Sequence, residues 1–516
     1  MGRFLVLGIL MTFHAFCFGQ STFFNFVEGW VNNYSTETND SYLTLGLNSL
    51  DAGPSNHSLQ YNTIGFEGEL VIENSFLIDS VATTTTYGMS QMAVRVDNFI
   101  YRAALFGFAS PIRYYGALFR YDLETQATVL LHVYDESLIN HMYSIASKND
   151  STLLIGGYHS NNFGTTALVL HETDLQGAPR WTYTTECGNS CYNYAEHILP
   201  LENGNTVLLY REWDYEIGNQ DKERAVLVMI DTAGVELWRV YPGNDEDYKI
   251  LPGGVVLQDD QLLVCFTDPY VYEANGDWVY SYENTVQLER YNLNGGFISN
   301  HSFIEEILNS LDIPRTTYEV SQLQYLADGN ILISGTTGPG GLLMKVDPDG
   351  GLIWFREILQ HPLAPLDEGY NQDLDILHVL ETSDGGLLCT GMFHNTPSVY
   401  FPQGIQTAIA LKVDEYGCLE QGCEVVGIDE LQQGIDEGQF NIFPNPAETT
   451  LNISSAEETI ISEWQLMDLS GKIIAQESGL KAQALNIDVT EMDQGLYLIQ
   501  VTDSDGNTAV KKFVKR

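Results

Sequence analysis

Leu326–Glu357 reads LADGNILISGTTGPGGLLMKVDPDGGLIWFRE. Two turn signals punctuate it, Asp328-Gly329 and Asp349-Gly350, each between apolar runs of strand length. An Asp-Gly pair in that setting is a strong hairpin signal, because a type I′ turn needs positive φ at both central residues. The stretch therefore predicts consecutive antiparallel strands joined by tight turns. The second turn has the form Asp-x-x-Gly-x-x-x-Trp, and it recurs at Asp174-Gly177-Trp181, Asp231-Gly234-Trp238 and Asp347-Gly350-Trp354. The Asp positions are 57 and then 116 residues apart (231 − 174 and 347 − 231), so the longer interval is two periods of 58. Weaker copies fill the series at Gly65-Gly68, Asp122, Asn292-Gly295 and Asp414-Gly417.

The first turn gives an independent series: Asn39-Asp40, Asp97-Asn98, Asn149-Asp150, Asn203-Gly204, Asp259-Asp260, Asp328-Gly329 and Asp384-Gly385. Both series have seven members and they alternate. A strand-rich unit of this length cannot bury its own faces, so neighbouring units must stack. The period favours a closed ring over an open solenoid, since four-stranded blades take roughly 40–50 residues and closure removes bare strand edges. The expected fold is all-β: a seven-bladed β-propeller over 20–417. Trp181, Trp238 and Trp354 are expected to pack blade against blade. The seventh repeat stops near Gly417 without a Trp-bearing strand, while STFFNFVEGWVNNY at 21–34 looks like a last strand with no repeat before it. Phe23–Val31 is therefore expected to close the ring by pairing with 408–413.

The chain begins MGRFLVLGILMTFHAFCFGQ, a short basic start and an apolar run ending in Gly19. Residues 1–19 read as a secretory signal peptide; Cys17 raises a lipoprotein alternative, which the bulky Phe16 disfavours. With 69 acidic against 23 basic residues the formal charge is −46, which excludes nucleic acid and anionic membrane as partners. Apolar residues make up 44% of the chain, enough for a large core. No later stretch reads as a transmembrane segment. Of the remaining cysteines, Cys187 and Cys191 lie in ECGNSC, and Cys418 and Cys423 in GCLEQGC. Outside the cell both pairs are expected to form local disulfides. Zinc would need both pairs together, and they sit in different repeats. Cys265 and Cys389 lie in apolar strands and read as buried thiols.

Residues 418–439 form an acidic connector. From 440 to 516 the pattern changes to alternating apolar runs with turns at Ser470-Gly471, Gln494-Gly495 and Asp505-Gly506, which predicts a small Ig-like β-sandwich. This block carries Phe443-Pro444-Asn445-Pro446, Leu451-Asn452-Ile453, Asp468-Leu469-Ser470-Gly471-Lys472, Gly495-Leu496-Tyr497-Leu498 and the basic end Lys511-Lys512 to Lys515-Arg516. It resembles the C-terminal sorting domain of the type IX secretion system of Bacteroidetes. The resemblance implies export across the outer membrane by that machinery, followed by surface attachment or release. It implies that Pro444, Asn445, Pro446, Asp468, Gly471, Gly495, Tyr497, Lys515 and Arg516 belong to the sorting signal. The repeats are similar to those of bacterial surface propellers and the quinoprotein-like superfamily. Their Asp-to-Gly spacing is one residue different, so quinone binding does not carry over.

No HExxH, Gly-x-Ser-x-Gly, Walker loop or EF-hand pattern is present. No cofactor is expected; calcium at Asp347-Pro348-Asp349-Gly350 is the one candidate, and it lacks the downstream acid. His141, His159, His171 and His197 have no ligand spacing. The longest insertions, Asp268–Asn284 with Trp278 and Phe393–Gln406, are expected to be irregular, aromatic loops suited to carbohydrate or protein contacts. Two functions follow. One is a secreted or surface-attached, non-catalytic binding module, adhesin-like or glycan-binding. The other is a secreted, glycan-directed enzyme with its site at the mouth of the central channel. Converging His, Arg and acids at the mouth would mark the enzyme, and small or apolar residues the binding module.

Overall fold

The computed structural model describes residues 22–27, 31–49, 57–66, 68, 70–76, 91–109, 112–134, 141–160, 166–185, 191–214, 222–243, 250–274, 277–303, 319–337, 340–359, 372–395, 405–419, 440–443, 447, 449–455, 460–467, 473–490, 492, 495–504 and 508–515. The chain divides into two compact units, Met1–Leu419 and Glu420–Arg516.

The first unit is a seven-bladed propeller of four-stranded antiparallel sheets. Six blades are continuous in sequence: 31–76, 93–133, 141–185, 191–240, 251–302 and 319–359. The seventh takes three strands from 372–413 and its fourth from the N-terminus. Phe23–Val27 pairs with Ile405–Val413 in the register Phe23↔Lys412 to Val27↔Ala408. The closing strand is shorter than the sequence reading. Val31 already opens the inner strand of blade 1, Val31–Glu37, because Tyr34 and the residues after it are needed to pair with Tyr42–Leu45.

Each interface between neighbouring blades has its own apolar cluster. Leu263, Cys265 and Leu288 of blade 5 meet Ile331, Ile333 and Leu342 of blade 6, and Leu154, Leu168 and Leu170 of blade 3 meet Leu208, Val226 and Val228 of blade 4. Burial on both faces explains why these strands read as continuous apolar runs rather than strict alternation.

The two repeating turns join the first strand to the second and the third to the fourth, so both leave from one face of the disc. The remaining connections leave from the other. At the second turn the first residue's side chain does the folding. Oδ1 of Asp174, Asp231, Asn292, Asp347 and Asp414 accepts the backbone N–H two and four residues ahead. The Gly then adopts positive φ, +87° at Gly177 and +83° at Gly234. Lacking Cβ, it receives a ring from the preceding blade. A Cβ on Gly234 would stand 2.8 Å from the Trp181 ring, one on Gly295 3.0 Å from Trp238, and one on Gly417 3.0 Å from Trp354. Trp238 also donates its Nε1–H to Leu293 O at 2.9 Å. In blade 7 the equivalent ring is Phe23, against Gly68. At Asp328-Gly329 only Gly329 has positive φ. Its turn is closed by Gly329 N–H to Leu326 O and Leu326 N–H to Asn330 O, not by the type I′ geometry; Asp259-Asp260 alone of the described turns has both residues positive.

Inner strands carry a second regularity. Six have a register break at one level, including Ala195/His197, Pro252/Gly254, Val320/Gln322 and Ile376/His378. A bulge re-aims the strand locally, and the residue just after it, His197, Gln322 or His378, bonds to backbone in another blade. The Gln322 amide donates to Val379 O at 3.3 Å and accepts from Val379 N at 2.6 Å. The Gln91 amide does the same at Ile198, two blades on. Ser35 N donates to His378 Nδ1 at 3.2 Å. His197 is hydrogen-bonded to the backbone of Gly253 and Ser321, one and two blades on.

Insertion 268–284 differs from its reading. The strands Gln261–Ala274 and Asp277–Asn292 stay paired out to Ala274↔Asp277, so it is a hairpin arm rather than an irregular loop.

The second unit is a sandwich. Phe440–Phe443, Thr450–Ser455 and Ala484–Asp488 form one sheet, and four strands between Ile461 and Lys515 form the other. Leu451, Ile453, Trp464, Leu466, Ile487, Ile499, Val501 and Phe513 fill its core. Among the described residues, no helix is long and apolar enough to cross a membrane.

Candidate functional site

The inner strands of blades 3 and 4 run from the face of long connections toward the turn face. Near their starts they bring together a group of polar and aromatic side chains. His141 and Tyr158 are cross-strand partners in blade 3, with rings stacked at 4.4 Å. Tyr143, turned out by the bulge, stacks on Tyr158 at 5.4 Å. Tyr194 of blade 4 meets both edge-on at 5.6 Å. Tyr194 is also paired across the ladder with Arg211, whose guanidinium lies 5.0 Å from the Tyr194 ring centre. All of these side chains are half-buried.

Arg211 links the rings to carboxylates. Its Nε is 3.4 Å from Glu196 Oε1 and its Nη1 is 4.0 Å from Glu223 Oε2. Glu196 occupies the bulge between Ala195 and His197, and its side chain is 13% exposed. Burial raises its pKa to about 7; Arg211 opposes the shift, while Glu319 at the start of blade 6's inner strand and Glu223 add to it. Burial holds His141 down at about 4, so it is neutral at pH 7. A carboxyl with a raised pKa beside a guanidinium can exchange protons with a ligand. The three half-buried tyrosine rings bring aromatic surface and hydroxyls to the same place.

Of these residues the sequence reading had marked only His141, as a scattered histidine. Tyr143, Tyr158, Tyr194, Glu196, Arg211 and Glu223 span 80 residues of sequence and share no spacing; what joins them is ring closure of blades 3 and 4. Ala-Glu-His at 195–197 was the one local signal: a glutamate where an inner strand should alternate.

The other marked residues lie elsewhere. His171 hydrogen-bonds Thr182 at 2.8 Å and stacks on Tyr134, and burial lowers its pKa to about 4. Asp347 engages its own turn, as described above. Among the described residues no group of three His, Cys, Asp or Glu gathers as a metal site. Cys265 and Cys389 are fully buried free thiols, and burial pushes both pKa values up. Cys418 is buried; Cys187 and Cys423 fall outside the described residues, and the side chain of Cys191 is likewise not described. In the second unit Gly495 pairs with Lys515, Tyr497 stacks on Phe513, and Lys515 is 7% exposed. Pro444, Asn445, Pro446, Asp468, Gly471 and Arg516 fall outside the described residues, as do 1–21 with the expected signal peptide, Trp30, and 396–404 of the second insertion.

Residues 441–516 match the family model of the secretion system C-terminal sorting domain. The protein carries the sorting domain of the type IX secretion system, and it is secreted or attached at the cell surface. No curated protein matches the chain. Solved structures similar to it are propellers or enzymes at low identity. The β-propeller domain of the trilobed protease from Pyrococcus furiosus, described as an open velcro topology, is 9% identical over 78% of this chain and 98% of that chain, with a TM-score of 0.41. The polysaccharide lyase Uly1 is 10% identical over 78% and 94%, TM-score 0.44. The α-L-arabinofuranosidase of Fusarium graminearum is 11% identical over 62% and 91%, TM-score 0.40.

Proposed function

We propose, from the premise that residues 441–516 are a type IX sorting domain, that the propeller is its exported cargo and acts outside the cell as a carbohydrate-recognition module. The observation that carries this reading is the half-buried cluster of Tyr143, Tyr158 and Tyr194 with Arg211 and Glu196 at its side. Sugar rings stack their C–H faces on aromatic π faces, and carboxylates and guanidinium groups bind hydroxyls. Export puts such a cluster where environmental glycans are. The test is a glycan array probed with the full chain, then repeated with Tyr158→Leu and Arg211→Gln. Binding that both substitutions weaken supports the reading; binding that neither changes, or no binding at all, removes it.

A second reading is a glycan-directed enzyme, and Glu196 is the observation that favours it. A carboxyl whose pKa lies about 7 is poised as a general acid, and Arg211 joins it to Glu223. Reducing-end assays on every array hit decide between the two. Turnover that disappears in Glu196→Gln while binding persists makes the protein an enzyme.

A further inference from the structure

The ring has a plane that no peptide link crosses. Between the other neighbours the chain runs from the outer strand of one blade into the inner strand of the next. The closing strand Phe23–Val27 likewise leads into blade 1, yet it hydrogen-bonds to Ile405–Val413 of blade 7. Its ring rests on blade 1: a Cβ on Gly68 would stand 2.7 Å from the Phe23 ring, and the Phe23 and Tyr42 rings are 6.3 Å apart. Residues 372–413 therefore meet the closing strand and blade 1 across a surface held by side chains and one short ladder.

That surface is polar where its counterparts are apolar. Tyr42 and Ile64 of blade 1 pack on Leu388, Ala408 and Ala410 of blade 7. Strand alternation places Thr44, Gln60 and Asn62 on the same side of blade 1 as Tyr42 and Ile64, and Thr390 on the same side of blade 7 as Leu388. All four are buried. Gln60 donates to Asn62 Oδ1 at 3.0 Å, but Gln60 Oε1 and Thr44 Oγ1 have no hydrogen-bond partner among the described residues. Lys412, fully buried opposite Phe23, lies 5.9 Å from the Tyr42 ring centre. At the seam of blades 3 and 4 the facing residues are instead Leu154, Leu168 and Leu170 against Leu208, Val226 and Val228. Buried polar groups lose hydration when a surface closes and regain it when the surface parts, so parting this one costs less than parting an apolar one. Ser35 N donates across it to His378 Nδ1 at 3.2 Å and Ser383 N to Glu37 Oε2 at 2.7 Å, and water can replace both acceptors.

We infer that the junction is a latch: the folded propeller opens along this plane, residues 372–413 parting from the closing strand and blade 1 while the other six blades stay whole. The plane runs from Phe23 on the outer strand to His378 on the inner one, so opening lets solvent reach the axis from the side. The latch is independent of the carbohydrate reading.

The test is thiol labelling of the full chain under native conditions, read site by site by mass spectrometry. Native Cys265 and Cys389 are fully buried and report the seams of blades 5 and 6 and of blades 6 and 7. Ala117→Cys and Ala195→Cys report those of blades 1 and 2 and of blades 3 and 4, and Ala410→Cys reports the latch; all three alanines are fully buried. The thiol at 410 should label about tenfold or more faster than the other four, at a rate that hardly changes in low urea, as a sub-global opening requires. Phe23→Ala should speed it several-fold further without changing Cys265, and Thr44→Val/Gln60→Met should slow it several-fold. Ala408→Cys, equally buried on the same face, repeats the measurement if Ala410→Cys does not fold. Equal labelling at all five sites, or faster labelling at another seam, overturns the latch. A fast thiol at 410 that responds to neither Phe23→Ala nor Thr44→Val/Gln60→Met also overturns it, because the opening would then be confined to that residue.

Discussion

Trp181 and Gly234 allow the repeat's packing rule to be measured. Replacing Gly234 with Ala does two things. It places a Cβ residue at φ +83°, which costs about 1–2 kcal/mol. It also drives that Cβ to 2.8 Å from the Trp181 ring, an overlap worth about 1–3 kcal/mol. Gly329 separates the two effects. Its φ is +85° and nothing lies within 4 Å of the corresponding Cβ position, so Gly329→Ala should cost the strain alone. Trp181→Ala removes a half-buried ring and should cost about 2–4 kcal/mol, somewhat below the fully buried range. In the double variant Trp181→Ala/Gly234→Ala the overlap is gone, so the losses should fall short of additivity by about 1–3 kcal/mol. Urea unfolding followed by tryptophan fluorescence and by circular dichroism reads all four proteins, with the slope checked for constancy. Additivity within about 0.5 kcal/mol, or equal losses for Gly234→Ala and Gly329→Ala, would refute the claim that the motif's Gly is there to admit the neighbouring ring.

Four further outcomes are expected. Deleting 21–34 should lower the melting temperature sharply, because it strips the fourth strand from blade 7 and breaks into blade 1; an unchanged melting temperature counts against closure by that strand. His141, His171, His197 and His378 all have folded pKa values near 4, against an ordinary 6.5. Between those values the unfolded chain takes up protons that the folded one refuses, so stability should fall as pH drops from about 6.5 toward 4, by up to about 1.4 kcal/mol per pH unit per histidine. Glu196, with its raised pKa, runs the other way and offsets one of the four; urea midpoints that rise on acidification would contradict the assignment. Peptide mapping without reductant should find Cys187–Cys191 and Cys418–Cys423 linked and Cys265 and Cys389 free, and cross-pairing among the four loop cysteines would count against it. Truncation of 440–516 should leave a folded propeller in the periplasm, and the same segment behind a signal peptide should carry a reporter outward; surface display of the truncated chain would end the sorting assignment.

The blade count was legible because two turns repeat with residues suited to their roles. Asp or Asn caps the loop through its own side chain, and in most copies Gly takes the positive φ. The closing strand was legible from a missing piece at one end and a surplus at the other, and its ring is Phe23, which fits the Gly68 recess as Trp181 fits Gly234. The turn type at Asp328-Gly329 was misread because Asp-Gly also suits a turn with a single positive φ. The cluster was not legible at all. Its tyrosines and glutamates follow no period, since a site on one pair of blades is by nature a departure from the repeat.

The hydrogen bonds from Gln91 to Ile198, from Gln322 to Val379 and from His197 to Gly253 and Ser321 tie together inner strands that lie one or two blades apart. The propeller is thus stitched by polar bonds as well as by apolar packing between neighbours. Loosening one blade strips hydrogen-bond partners from another, so the loss spreads around the ring and favours cooperative unfolding over the fraying of single blades.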